Sequence, residues 1–222
     1  MTNFAVAFIF LSIVLLFVFS LFSILNYKNR FKMKYDFRNH YIYELNYEGK
    51  FSDNLIGNIA IVALAASGIA FYTLFNNNFN NDFLLFTLIA GSLYSFTLTG
   101  LAFISLNKHL KLHLVIVLFA VVLGFLIPFS NAMASSISYK DSQNVISLVM
   151  AIVNAVYCLF IFVLMMNPRL SRWAELKEEK NNDGTVKYVR PKVFILAFIE
   201  WALIISSPVI MILTVLTSLF GI

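Results

Sequence analysis

Six runs of apolar residues, each about twenty long and almost free of charge, dominate this chain. They cover approximately residues 4–25, 54–75, 83–106, 113–137, 143–166 and 193–219. A run of that length is what an α-helix needs to cross the roughly 30 Å hydrocarbon core of a bilayer at about 1.5 Å per residue. In hydrocarbon the backbone finds no water to bond, so spanning segments are helices or closed barrels. Barrel strands are about ten residues long and alternate apolar with polar, which these runs do not. The sequence therefore predicts an all-α, polytopic integral membrane protein with six transmembrane helices, organised as one membrane domain over residues 1–222. Composition agrees: 60% of residues are hydrophobic and 12% are charged, more apolar surface than a soluble domain of 222 residues can hide. That excludes a soluble enzyme and a free nucleic-acid-binding domain.

Orientation follows from Lys and Arg. The connections at about 26–53, 107–112 and 167–192 carry fifteen of the sixteen basic residues, and Lys140 is the other. Basic connections stay in the cytoplasm, so loops one, three and five are expected inside and both ends of the chain outside. The first run has no Lys or Arg before it and is too long for the apolar core of a signal peptide, so it reads as a span. The net charge of +5 is thus a feature of one face. Anionic lipid headgroups account for it, and no nucleic-acid partner is needed. The expected location is a bacterial cytoplasmic (plasma) membrane.

The two long basic loops are the places for partners. In loop one, Arg30, Lys34 and Arg38 are four residues apart, the spacing of one helix face, and are the candidates for lipid headgroup contact. Tyr41, Tyr43, Leu45 and Tyr47 then recur at period two, beside a headgroup layer that suits aromatic rings. Loop five opens with Asn167-Pro168, a helix start, and a short helix is expected to about Lys180. A turn at Asn182-Asp183-Gly184 and an extended stretch to Val189 follow. A protein partner at these cytoplasmic loops is an open expectation.

Motifs for chemistry are missing. Cys158 is the single cysteine, which leaves no disulfide and no thiolate metal site. His109 and His113 share a helix face, but a third zinc ligand and the HExxH glutamate are absent, so both read as juxtamembrane histidines at headgroup level. No Walker A, GxGxxG or GxSxG pattern occurs. The expectation is no catalytic residue, no metal and no cofactor, hence not an enzyme.

Polar groups inside the runs carry the remaining functional signal. Glu200 is the only acidic residue that falls within a span, and an ionisable group there is a functional candidate by default. Two placements stay open. Either Glu200 points into the bundle with a polar partner on span four or five, or Glu200-Trp201 sits at the interface with Trp201 in the aromatic belt. In the first case Glu200→Leu is expected to fold at least as well as the parent. Pro128 is expected to kink or break span four between Gly124 and Asn131. Beyond it lie Ser130, Asn131 and Ser135, facing Ser147, Ala151, Asn154, Ala155 and Cys158 of span five. Such small-residue stripes usually mark helix contact. A sharper reading makes Asn131, Asn154, Glu200 and Ser207 the lining of a small-solute site.

In size and span count alone, the chain resembles the vitamin-binding subunits of ATP-driven bacterial uptake systems. No motif carries the likeness, so it supplies no site residue. Two functions follow as expectations: a permease-type or solute-binding membrane component for a small, weakly charged solute, or a non-transporting accessory protein (assembly, immunity or signalling) acting through its basic cytoplasmic loops.

Overall fold

The computed structural model describes residues 2–46, 51–75, 82–104, 109–166, 177–180, 186–189 and 193–221. The apolar runs form six helices: α1 (Thr2–Phe31), α2 (Leu55–Phe75), α3 (Asp82–Phe103), α4 (Leu110–Ser142), α5 (Val145–Met165) and α6 (Ile195–Phe220). All six are long and apolar enough to cross a bilayer, so the chain is a multi-pass helical membrane protein.

Local chemistry explains where the helices stop. α1 closes on Lys32, at φ 55°, whose N–H reaches the Lys28 carbonyl at 2.9 Å. α4 closes on Gln143, at φ 54°, whose N–H reaches Tyr139 at 2.8 Å. The next residue, Asn144, caps α5 by accepting from the Ile146 N–H at 3.0 Å. Only 143–144 separate the two helices, which pack as a tight hairpin.

α4 is unbroken from Leu110 to Ser142, so the break expected at Pro128 does not occur. Transmembrane helices tolerate a missing backbone donor where neighbouring helices cover the freed carbonyl, and Pro128 is buried. Gly124 serves an interhelix contact: a Cβ there would lie 3.4 Å from the Tyr94 ring of α3.

Helices that follow one another in sequence pack together from α1 through α5, and α6 inserts against α1, α3, α4 and α5. α6 is therefore the central element, 61% buried over its most apolar stretch against 17% for α1. Glycines set the α2–α3 distance. A Cβ on Gly91 would fall 2.3 Å from the Tyr72 ring, and one on Gly68 would fall 2.2 Å from the Ser95 hydroxyl. On α5 the inward stripe is Ser147, Ala151, Asn154 and Cys158, while Ala155 faces outward, one step off that stripe.

Loop one departs from the sequence reading. α1 ends at Phe31, so Arg30 is helical, Lys34 lies in irregular chain beyond the helix and Arg38 lies in a turn held by Asp36. The three do not share a helix face. A 3-10 turn then spans Ile42–Leu45, and Tyr41, Ile42, Tyr43 and Leu45 are all buried. Period two would have buried alternate residues. Instead the segment folds onto the ends of α1, α3 and α6 and extends the core.

In loop five, strands β1 (Lys177–Lys180) and β2 (Val186–Val189) pair antiparallel, with Lys177 opposite Val189. The extended reading near Val189 is matched. The helix expected to reach Lys180 is not, because 177–180 is a strand; residues 167–176 and the 182–184 turn lie outside the described residues.

Candidate functional site

α6 begins after Phe194, whose N–H donates to the Arg38 carbonyl at 2.6 Å, so loop one and the start of α6 are tied together. One turn further, the adjacent residues Glu200 and Trp201 both point into the bundle, 0% and 2% exposed.

Glu200 meets His113, in the first turn of α4, at 2.7 Å from Oε1 to Nε2, and neither side chain is exposed. The other imidazole nitrogen, Nδ1, is 2.6 Å from the Ile104 carbonyl at the end of α3. A carbonyl only accepts, so Nδ1 carries a hydrogen. The Nε2–Oε1 contact then holds one proton, on either atom, and the pair is neutral as a unit. The second carboxylate oxygen accepts from the Ile42 N–H at 3.3 Å. One side chain on α6 thus joins α4, α3 and the loop-one turn. Burying a carboxylate costs several kcal/mol unless it is paired and bonded in this way.

Trp201 repeats the connection. Its Nε1–H donates to the Tyr35 hydroxyl at 2.9 Å, and that hydroxyl faces the His40 and Tyr41 carbonyls at 3.0 Å each. Burial pushes the Tyr35 hydroxyl well above its ordinary range, which keeps it protonated and donating. Asn46 donates to the Ala102 carbonyl at 3.1 Å, and Asn54 bridges Asn46 and Ser23 at 2.9 Å each. The segment 35–46 is therefore a fitted plug over the helix ends.

A second polar layer lies at the other end of α6. Asn131 donates to Thr214 at 3.2 Å and accepts from Thr87 at 3.3 Å. Asn154 donates to the Met150 carbonyl and the Thr217 hydroxyl, both at 2.9 Å. Asn154 Oδ1 and Ser135 Oγ are buried without a protein partner. Glu200 and Thr214 are fourteen residues apart, about 21 Å along the helix.

The four solute-lining candidates are therefore not brought together. Glu200 belongs to the loop-one end, Asn131 and Asn154 to the far layer, and Ser207 is buried between them. Glu200 and Trp201 point into the bundle at the loop-one end of α6 rather than outward to lipid. His113 is fully buried and bonded to Glu200, whereas His109 is exposed before α4. The sequence reading missed His113, Thr87, Thr214 and Thr217 as partners. The signal for His113 was its position at the start of an apolar run, one turn inside His109.

No protein-family model matches the chain, and neither the curated proteins nor the solved structures contain a match.

Proposed function

We propose that this chain is a non-transporting accessory membrane protein that engages a protein partner through its loop-one face. The observation that carries this reading is the use made of its intramembrane polar groups. Glu200, Asn131 and Asn154 are all buried in bonds that fix one helix to another, at two levels set apart along α6. A permease keeps such groups for its solute. The loop-one end also offers a surface: Phe31, Met33 and Phe37 are exposed, with Lys28, Lys32 and Lys34 exposed beside them. Exposed aromatic and basic side chains on an ordered plug suit a protein contact at the headgroup layer, and Arg30, Lys34 and Arg38 suit anionic lipid there. In this reading loops one, three and five face the cytoplasm, both ends of the chain lie outside, and the membrane is a bacterial plasma membrane.

A photo-crosslinking residue at Met33 in cells should give a discrete protein adduct, and one at the lipid-facing Phe10 should give none. Lipid adducts alone at both sites would overturn the reading. In a Cys158→Ala background, an external thiol reagent should label Lys140→Cys and spare Met33→Cys; the reverse pattern would overturn the orientation.

One observation favours a permease-type protein instead. The unpartnered Asn154 Oδ1 and Ser135 Oγ provide polar capacity for a small solute in the far layer. Solute-dependent thermal stabilisation that Asn154→Ala abolishes would favour that alternative.

A further inference from the structure

Between α5 and α6 a cleft of about 470 Å³ opens on the outer surface of the bundle, closed at the loop-one end by Phe37. Its walls are aromatic and aliphatic, including Tyr157 and Phe160 of α5 and Phe198, Trp201 and Ile205 of α6. The Tyr157 and Ser206 hydroxyls in the wall pair with each other, so the cleft is apolar in effect. Along α6 it runs from Phe198 to Val209, about 16 Å at 1.5 Å per residue. That is close to half of a roughly 30 Å hydrocarbon core, the depth of one leaflet.

Dimensions decide the occupant. Spread over that length, the volume gives a mean section of about 30 Å². An α-helix about 10 Å across needs a section of about 80 Å². A helix from a second copy or a partner can lie across the mouth but not sink between the walls; an extended hydrocarbon chain fits between them. In a bilayer such a chain gains nothing by leaving water. It is retained over its neighbours by contact with rigid rings on several sides and by charge at its headgroup. Phe37, which closes the cleft, belongs to a basic segment. Arg38, beside Phe37, is paired with Asp36 at 3.1 Å, while Lys32 and Lys34 are exposed on the same segment.

We propose that the α5–α6 cleft is a binding site for one acyl chain of an anionic phospholipid from the leaflet on the loop-one side, with the headgroup phosphate held by Lys32 and Lys34. The site requires no protein partner, although it shares Phe37, Lys32 and Lys34 with the face proposed above.

The full chain, purified after equilibration with vesicles of equal phosphatidylglycerol and phosphatidylcholine, should retain one phospholipid in native mass spectra, phosphatidylglycerol in excess. Ala202→Phe places a ring in the cleft and should lower retention at least tenfold. Val156→Phe, on the exposed face of α5 outside the cleft, should leave it unchanged. Lys32→Gln with Lys34→Gln should equalise the two lipids. An empty parent chain, retention indifferent to Ala202→Phe, or no headgroup preference would each overturn the proposal, as would a dimer that shields the cleft. A second measurement does not depend on the folding of Ala202→Phe. In Trp173→Phe the one remaining tryptophan is Trp201, which is 2% exposed and lines the cleft. Phosphatidylglycerol brominated in its acyl chain should quench that emission at least twofold. Unchanged emission would overturn the assignment.

Discussion

The Glu200 carboxylate and the His113 imidazole meet at 2.7 Å with neither side chain exposed, and the carbonyl facing His113 Nδ1 fixes one proton between them. The pair is neutral whichever atom holds that proton, which is how two ionisable groups can sit in a membrane-embedded core.

This geometry sets the first prediction. In Glu200→Gln, the amide can donate to His113 Nε2 and accept from the Ile42 N–H, so the loss should stay under about 1 kcal/mol. Glu200→Leu leaves both the His113 Nε2 and the Ile42 N–H buried without partners and should cost about 3 kcal/mol. The expectation from sequence that Leu is tolerated is thereby reversed, because it took no account of a committed histidine. Adding His113→Leu should recover part of the loss. Unfolding of the parent, Glu200→Leu, His113→Leu and the double variant in detergent closes the cycle; a Glu200→Leu variant as stable as the parent would refute the pairing.

Tyr35 carries the second prediction. Its hydroxyl takes the Trp201 N–H and faces two loop carbonyls, those of His40 and Tyr41. Tyr35→Phe keeps the ring contacts with Trp201, Tyr27 and His40 but strands the indole donor. The cost should be about 1–3 kcal/mol, confined to loop one. Trypsin should then cut after Lys32 or Lys34 several times faster, with the helices intact. Equal cleavage rates would separate the plug from this hydroxyl.

What the sequence made legible follows from periodicity and from cost. The six helices were readable because nothing else buries their backbone. Glu200 was readable because a lone acid in an apolar run demands an explanation. Its partner was not: pairing residues 113 and 200 needs the order in which helices pack, and hydrophobic patterning does not encode that. The end of α4 was misplaced because Ser136, Ser138 and Ser142 look like loop. In the structure Ser136 and Ser142 bond back to the carbonyls four residues earlier, at 2.8 Å each, and the helix continues. Loop one was misread because tyrosines recurring at period two suggest alternate burial at the headgroup layer, whereas a 3-10 turn buries consecutive residues against three helix ends.

The far layer should matter less than the His113–Glu200 pair. Hydrogen bonds between transmembrane helices average about 0.6 kcal/mol and reach about 1.7, because the unfolded chain in a membrane also finds partners. Thr217→Val, which removes the hydroxyl that accepts from Asn154, should therefore cost under about 1 kcal/mol. Asn131→Leu, which ends two bonds, should cost about 1–2 kcal/mol. The same unfolding assay ranks them, and an Asn131→Leu loss above that of Glu200→Leu would invert the order of importance argued here.

Asp36 sets the pH response of loop one. Its carboxylate accepts from the Arg38 guanidinium through both oxygens at 3.1 Å and from the Arg38 backbone N–H at 2.9 Å. The Arg38 side-chain and backbone bonds pull its pKa down to about 2. The folded value lies below the unfolded value of about 3.9. The contribution is thus fully present above that unfolded value and is lost as pH falls through the folded one. The Asp36–Arg38 turn, which holds Phe37 at the end of the α5–α6 cleft, should be unchanged between pH 7 and pH 5 and loosen only in strong acid. A titration of the Asp36 carboxyl carbon by NMR should give a midpoint near 2, and Arg38→Gln should move it up toward the ordinary carboxylate range. A parent midpoint near the unfolded value would mean that the guanidinium does not hold this turn.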